Sequence, residues 1–382
     1  MIRQITHSKT RNPAGAFTKK VFVGLSGGVD SAVSAALLIK AGYDVTGVYI
    51  KVWQPDWIHC TWKEERRDAM RVAAHLNIPF VTLDLVNEYK RGVIDYMLAE
   101  YAAGRTPNPD VMCNREVKFG GFWQWAHKNG ADFVATGHYA RISGGKIKRM
   151  LAGIDKNKDQ SYFLWTLNQG DLKHILFPVG HLEKPRVRTL AKKFGLPNAD
   201  KKDSQGLCFI GKIDIKEFLA HYIKNSGRAA KLGKVLDLAG EVIGKHPGAL
   251  FFTLGERHGF TITKKTTHDG RYYVVAKDMK KNTITVGSAR DTGRLMIPGD
   301  RFAFSNVDII NTNWTRIISK IGSTVQVRTR YRQQLIGATV LAISGKNKRA
   351  RLKLESSTDP ITPGQSLVIY KGEECLGGGI IL

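Results

Sequence analysis

Acidic residues are scarce in this chain. Its 382 residues hold 33 Asp and Glu against 59 Lys and Arg, a formal net charge of +26, and no acid precedes Asp30. Such a balance is silent on fold but points to a polyanionic partner. Cysteine is scarce too: Cys60, Cys113, Cys208 and Cys375 are the only four. They form no C-x-x-C pair and no Cys/His cluster, so no structural metal is expected, and four in so long a chain are no disulfide scaffold. A reducing, cytoplasmic setting is the expectation. Long apolar runs are missing as well. None approaches the ~20 residues of a spanning helix, and no membrane association is expected.

What is present describes a globular chain with a sizeable core: 42% hydrophobic and 24% charged residues. At ~100–200 residues per domain, this length implies two or three domains. Residues 1–19 read as a basic tail, broken at Asn12-Pro13-Ala14-Gly15 and only faintly like a transit peptide. From 20 to 215, apolar runs at Val21–Leu25, Val45–Ile50, Phe80–Leu85 and Phe133–Thr136 alternate with helical patterns at Ser31–Lys40, Glu64–Leu76, Tyr89–Ala103 and Glu116–Lys128. That alternation predicts an α/β domain with a parallel sheet, its ligands at the carboxyl ends of the strands. Residues 216–288 open on a helical stretch, Phe218–Ile223. They continue as a small, mostly β module with runs at Val235–Leu238, Leu250–Leu254, Tyr272–Ala276 and Thr283–Val286. Residues 289–382 predict a small antiparallel β-barrel, with Arg301–Phe304, Thr324–Tyr331, Ala338–Ile343, Ala350–Glu355 and Ser366–Tyr370 as strands.

The chemistry concentrates in a few loops. Gly24-Leu25-Ser26-Gly27-Gly28-Val29-Asp30-Ser31 joins the first strand to the first helix. Glycines there permit a tight turn, while turn amides, helix N-terminus and two serine hydroxyls can face an anion. No Gly-Lys-Ser/Thr follows, so it is not a Walker loop, and it lacks G-x-G-x-x-G. In the barrel region, Arg328-Thr329-Arg330-Tyr331-Arg332 and Arg349-Ala350-Arg351-Leu352-Lys353-Leu354 would, as strands, each line up cations on one face. A phosphate backbone is the natural partner of such rows, and a solvated charged face is the plain alternative.

Ser26-Gly27-Gly28-Val29-Asp30-Ser31 resembles the PP-loop of ATP pyrophosphatases. Three further segments narrow the resemblance: Gly104–Asn114 (GRTPNPDVMCN), Asn157–Leu164 (NKDQSYFL) and Lys202–Gly211 (KDSQGLCFIG). With Pro363-Gly364-Gln365-Ser366 and Cys375-Leu376-Gly377-Gly378-Gly379, the chain from about Lys20 to Leu382 is similar to the tRNA-specific 2-thiouridylase family. That family replaces O2 of the wobble uridine with sulfur.

The resemblance implies the following roles. ATP, with Mg2+ on its phosphates, would meet Gly24, Leu25, Ser26, Gly27, Gly28, Val29, Asp30, Ser31, Ile50 and Gly137. Cys208 would carry a persulfide loaded by a sulfur-donor protein, and Cys113 would be the second nucleophile. Asn108, Pro109 and Asp110 would meet the target uridine, Asp110 as a general acid/base. His138, Lys158, Asp159, Gln160, Arg330, Tyr331 and Gln365 would contact tRNA. Chemically the division is sensible: a carbonyl oxygen leaves poorly until adenylated, and a persulfide supplies soft sulfur that a second cysteine can resolve. Cys60, at a polar helix start, and Cys375, in a glycine-rich turn, get no role.

One departure stands out. The family usually carries Met-Lys-Asn-Trp and an acidic loop after the second strand, where this chain has Ile50-Lys51-Val52-Trp53 and a thinned segment, Gln54–His59. Ile50 can still wall an adenine, but any polar or magnesium role of that loop is put in question. Two other classes remain open on the residues alone. A PP-loop ligase or amidotransferase acting on a small substrate would not need Cys113 or Cys208, and a non-catalytic RNA-binding protein would not need an intact PP-loop.

Overall fold

The computed structural model describes residues 18–57, 62–202, 215–225, 231–264, 270–288, 296–297, 301–302, 306–316, 320–346, 348–355 and 361–382. Cys60, Cys208 and nearly all of the basic tail lie outside the described residues.

The first part alternates as expected. Strand β1 (Lys20–Gly24) leads into helix α1 (Val29–Lys40), and β2 (Asp44–Lys51) precedes α2 (Trp62–His75) and β3 (Phe80–Asp84). A helical rod follows: α3 (Val86–Tyr89), a π-helical stretch at Lys90–Asp95, and α4 (Tyr96–Ala102). A second rod is built the same way from α5 (Pro109–Met112), a π-helix at Cys113–Gly121, and α6 (Phe122–Lys128). Then come β4 (Phe133–Ala135), β5 (Ala140–Ser143), β6 (Arg149–Ala152), α7 (Gln169–Leu172), β7 (Ile175–Leu176) and α8 (Lys184–Lys193). The sheet runs β3-β2-β1-β4-β7 with every pairing parallel. Residues Val45–Ile50 are all buried, the continuous apolar run that helices on both faces demand.

Helix α9 (Ile215–Asn225) leads into β8 (Gly233–Leu236), β9 (Val242–His246), β10 (Thr261–Ile262), β11 (Tyr272–Asp278) and β12 (Thr283–Ser288). These form one sheet in the order β10-β9-β8-β12-β11. The expected strand Leu250–Leu254 is instead a 3₁₀ turn at Ala249–Phe251, entered through Gly248 at φ +149°.

After the short pair β13 (Met296–Ile297) and β14 (Arg301–Phe302) comes the barrel: β15 (Asn306–Trp314), β16 (Thr324–Arg328), β17 (Ile336–Ser344), β18 (Arg349–Leu354), β19 (Ser366–Lys371) and β20 (Glu374–Ile381). The ladder β15-β18-β17-β16-β19-β20 closes because β15 also pairs with β20. The α/β domain's hairpin β5–β6 adds to the same sheet through β20, so the barrel is welded to the α/β domain. One apolar core accordingly runs from Tyr162 and Trp165 into Val368 and Tyr370. The polar ends of those two large rings find barrel partners: Tyr162 O–H donates to the Ser366 carbonyl (2.9 Å) and Trp165 Nε1–H to Ser366 Oγ (3.0 Å). Cys375, expected in a turn, lies buried in β20. Among the described residues no helix is long and apolar enough to cross a membrane.

Candidate active site

At the carboxyl edge of the parallel sheet, Gly24 to Ser31 turn the chain from β1 into α1. Gly27 takes φ +74°, and a Cβ there would stand 2.7 Å from the Glu65 carbonyl, so only glycine fits. Buried Leu25 and Val29 anchor the loop. The two serines organise it: Ser26 N–H donates to Ser31 Oγ (3.3 Å), Gly28 N–H to Ser26 Oγ (3.3 Å) and Ser31 O–H to the Gly28 carbonyl (3.1 Å). Gly28, at the cap, offers no side chain to the first amides of α1. They face the sheet edge with the positive end of the helix dipole, an anion site by construction.

Two residues on other elements border this loop. A Cβ on Gly24 would touch Phe122 at 3.7 Å and Ile50 at 3.9 Å, so buried Ile50 walls the loop as an apolar surface. Gly137, just past β4, lies against the start of α1: a Cβ there would be 2.7 Å from Ser31 N and 3.0 Å from Asp30 Cβ.

Asp30 is held from both sides. Lys184 Nζ, from the first turn of α8, donates to both carboxylate oxygens (2.7 and 2.9 Å), and Tyr139 O–H donates to Oδ1 (2.8 Å). Asn198 Nδ2 donates to the Gly27 carbonyl (3.0 Å), while its own Oδ1 is buried without a partner among the described residues. Sequence reading missed Lys184, Tyr139 and Asn198. Nothing local marks them, because they reach the loop only through the tertiary fold.

Asn108 and Pro109 begin a helix rather than a free turn. Asn108 Oδ1 accepts the Val111 N–H (3.4 Å) and Pro109 occupies the first helical position. This sets Asp110 in the first turn and Cys113, 1% exposed, at the junction with the π-helix. The barrel clamps the segment in front: Gln365 Nε2 donates to the carbonyls of Thr106 (3.2 Å) and Pro107 (3.1 Å), and Thr106 N–H donates to that of Pro363 (2.8 Å). Motifs some 250 residues apart thus become one unit.

The segment 158–160 is equally tied in. Gln160 Oε1 accepts the Tyr139 N–H (3.0 Å), and its own N–H donates to the Tyr139 carbonyl (2.9 Å). Asp159 is 3% exposed, and its Oδ2 accepts Arg328 Nη1 at 2.7 Å. Lys158 is partly exposed. His138 is buried between Phe119 and Phe177, and burial together with the nearby Lys118 ammonium holds its imidazole well below the usual range.

The row of arginines expected on one strand face is not there. β16 ends at Arg328, and the chain turns, with Arg332 at φ +63°. Arg328 points inward over the Tyr370 ring (5.3 Å), Arg330 reaches Thr362 Oγ1 (3.5 Å), and Arg332 Nε donates to the Asn157 carbonyl (3.1 Å). Tyr331 lies beside Phe163, ring centroids 4.6 Å apart. β18 does alternate as read, with Arg349, Arg351 and Lys353 outward, but Arg351 there forms a two-pronged pair with Asp308 on β15 (2.7 and 2.8 Å). Among the described residues no three His, Cys, Asp or Glu side chains converge as a metal cage.

Three family models match consecutive stretches: a "tRNA methyl transferase HUP domain" over residues 19–212, a "tRNA methyl transferase PRC-barrel domain" over 216–288, and an "Aminomethyltransferase beta-barrel domain" over 305–381. The tRNA-specific 2-thiouridylase MnmA of Shewanella amazonensis is 44% identical over 98% of both chains. The chain belongs to the tRNA-specific 2-thiouridylase family. Its relative of that name in Haemophilus ducreyi is 41% identical over 98% of this chain and 96% of the other. Among solved structures, the U34-tRNA thiolase NcsA of Methanococcus maripaludis shows a weak likeness, TM-score 0.35 at 15% identity over 58% of this chain and 68% of that one. In this 2-thiouridylase-family chain, one edge of the parallel sheet gathers Gly24–Ser31, Ile50 and Gly137, and the clamp from the barrel fixes the segment that leads to Cys113.

Proposed function

We propose that the chain catalyses ATP-dependent 2-thiolation of the wobble uridine of tRNA in the cytoplasm. The observation that carries this is whole-length identity to 2-thiouridylases, 44% over 98% of the chain. The loop geometry supports the ATP half: α1's uncapped amides and the two serines make a phosphate cradle against Gly137. We assign 20–215 to the ATP domain, 216–288 to a central module and 289–382 to a tRNA-binding barrel.

In this reading the uridine O2 attacks the α-phosphorus of ATP and pyrophosphate leaves. Magnesium, held mainly by the phosphates and water, would neutralise that leaving charge; Asp30 is the carboxylate at the loop that could serve it. The outer sulfur of a Cys208 persulfide attacks C2, and AMP departs with O2. Cys113 then attacks the inner sulfur, leaving a Cys113–Cys208 disulfide for a thiol reductant. Attack by Cys113 before transfer would instead free hydrosulfide as the nucleophile, with the same disulfide formed. Asp110 manages the proton near the uridine. Asn108 orients the helix that bears Cys113, Gln160 holds Tyr139, and Lys158, Arg330 and Tyr331 are assigned to tRNA.

The test is Cys208→Ser supplied with a persulfide donor, ATP and tRNA. Loss of thiolation with tRNA-stimulated pyrophosphate release retained is expected; thiolation that persists would refute the mechanism. Unchanged wobble 2-thiouridine in bulk tRNA of a deletion strain would refute the function itself.

A further inference from the structure

His138 is built as a seat for a cation. The residue is 7% exposed, with Nδ1 2.7 Å from Thr136 Oγ1 and Nε2 3.4 Å from Lys118 Nζ. An ammonium only donates, so Nε2 is the acceptor, and the neutral ring carries its proton on Nδ1, donating to Thr136. Phe119 and Phe177 fix the ring plane at centroid distances of 5.8 and 5.9 Å. The charged group shifting this imidazole is Lys118 itself, acting with burial, so the ring stays neutral.

The place of that ammonium follows from the helix. Lys118 and Phe122 are four residues apart on one continuous helical rod. Phe122 abuts Gly24 at the mouth of the loop, and Cys113 starts the π-helix five residues before Lys118. His138 itself follows Gly137, which presses on Ser31. Lys118 thus shares the π-helix that Cys113 opens, a stretch of the kind that recurs at functional sites, and its seat directly follows the glycine packed on the loop.

We propose that Lys118 is a catalytic cation of this cleft: seated on His138, it binds a phosphoryl oxygen during thiolation. The proposal rests on the ATP-dependent tRNA reading above. The oxygen belongs either to the nucleotide's α-phosphoryl group or to the tRNA backbone beside the target uridine, and the two are separable by experiment.

Full-length wild type, Lys118→Gln, Lys118→Met, Lys118→Arg, His138→Gln and His138→Phe are compared by ATP-dependent pyrophosphate release at saturating tRNA and by tRNA affinity across salt concentrations. A nucleotide contact predicts that the neutral variants lose on the order of a hundredfold in pyrophosphate release at unchanged tRNA affinity. Lys118→Arg should recover part of this, and His138→Gln, which keeps an acceptor, should retain more than His138→Phe. A backbone contact predicts weaker tRNA binding with the log–log salt slope reduced by about one and full turnover at saturation. Wild-type values in both assays for Lys118→Gln or Lys118→Met overturn the proposal while leaving the thiolase reading intact. A wild-type protein that releases no pyrophosphate with tRNA overturns that reading first, and this proposal with it.

Discussion

Arg328 of the barrel places Nη1 2.7 Å from Oδ2 of Asp159, a carboxylate only 2% exposed. The same carboxylate, through Oδ1, accepts the N–H groups of Gly153 (3.0 Å) and Ser161 (3.1 Å). One residue of the 158–160 motif thus pins the barrel to the α/β domain, while its neighbour Gln160 holds Tyr139 against Asp30.

Removing one partner of that pair strands a buried charge. Asp159→Ala should destabilise the chain by about 3–5 kcal/mol in urea unfolding, and Asp159→Leu combined with Arg328→Met should recover much of it. Equal stability of the single variant and wild type would show that the pair carries no interdomain load.

Lys184→Met frees Asp30 from its cation. We expect a loss on the order of a hundredfold in pyrophosphate release, with tRNA affinity unchanged, because the loop proposed to receive the phosphates loses its orientation. An effect on tRNA binding alone would place Lys184 elsewhere in the mechanism.

Gly137→Ala drives a methyl to within 2.7 Å of Ser31 N. Overpacking against backbone should cost about 1–3 kcal/mol and cripple ATP use more than tRNA binding, as read by nucleotide affinity.

Lys277 supplies a pH test. Burial pushes its ammonium down from 10.5 to about 8, and its Nζ donates to the Phe252 carbonyl (2.7 Å). Between pH 8 and about 10.4 the unfolded chain holds a proton there that the folded chain has lost. Stability should therefore rise with pH across that window relative to Lys277→Met. Parallel stability–pH curves for the two proteins would contradict this.

Gln365→Ala releases the carbonyls of Thr106 and Pro107. Single-turnover thiolation should slow more than global stability falls, since the clamp acts on the segment leading to Asn108 and Cys113. Unaltered thiolation would reduce the clamp to packing.

Much of this was legible in the chain. The alternation of buried runs and helices announced the parallel sheet, because a strand covered on both faces has to be apolar throughout, as Val45–Ile50 is. The loop Gly24–Ser31 was legible because its glycines and serines act within eight consecutive residues. The strand face proposed for Arg328–Arg332 failed for the opposite reason. Period-two spacing states which side a residue would take in a strand, not whether the strand continues, and β16 stops at Arg328, with a turn running on to Arg332 at φ +63°.

By itself, the sequence determined the strand–helix alternation of the first domain, the glycine–serine loop, the two candidate cysteines and the cationic character, since each depends on neighbours along the chain. Only the tertiary structure decided what Asp159, Gln365, Lys184 and His138 do. Their partners Arg328, Thr106, Asp30 and Lys118 lie 20 to 259 residues away, brought within 2.7–3.4 Å by the fold. Where burial strips a polar group of water it must take whichever partner the fold provides, and no local pattern records that choice.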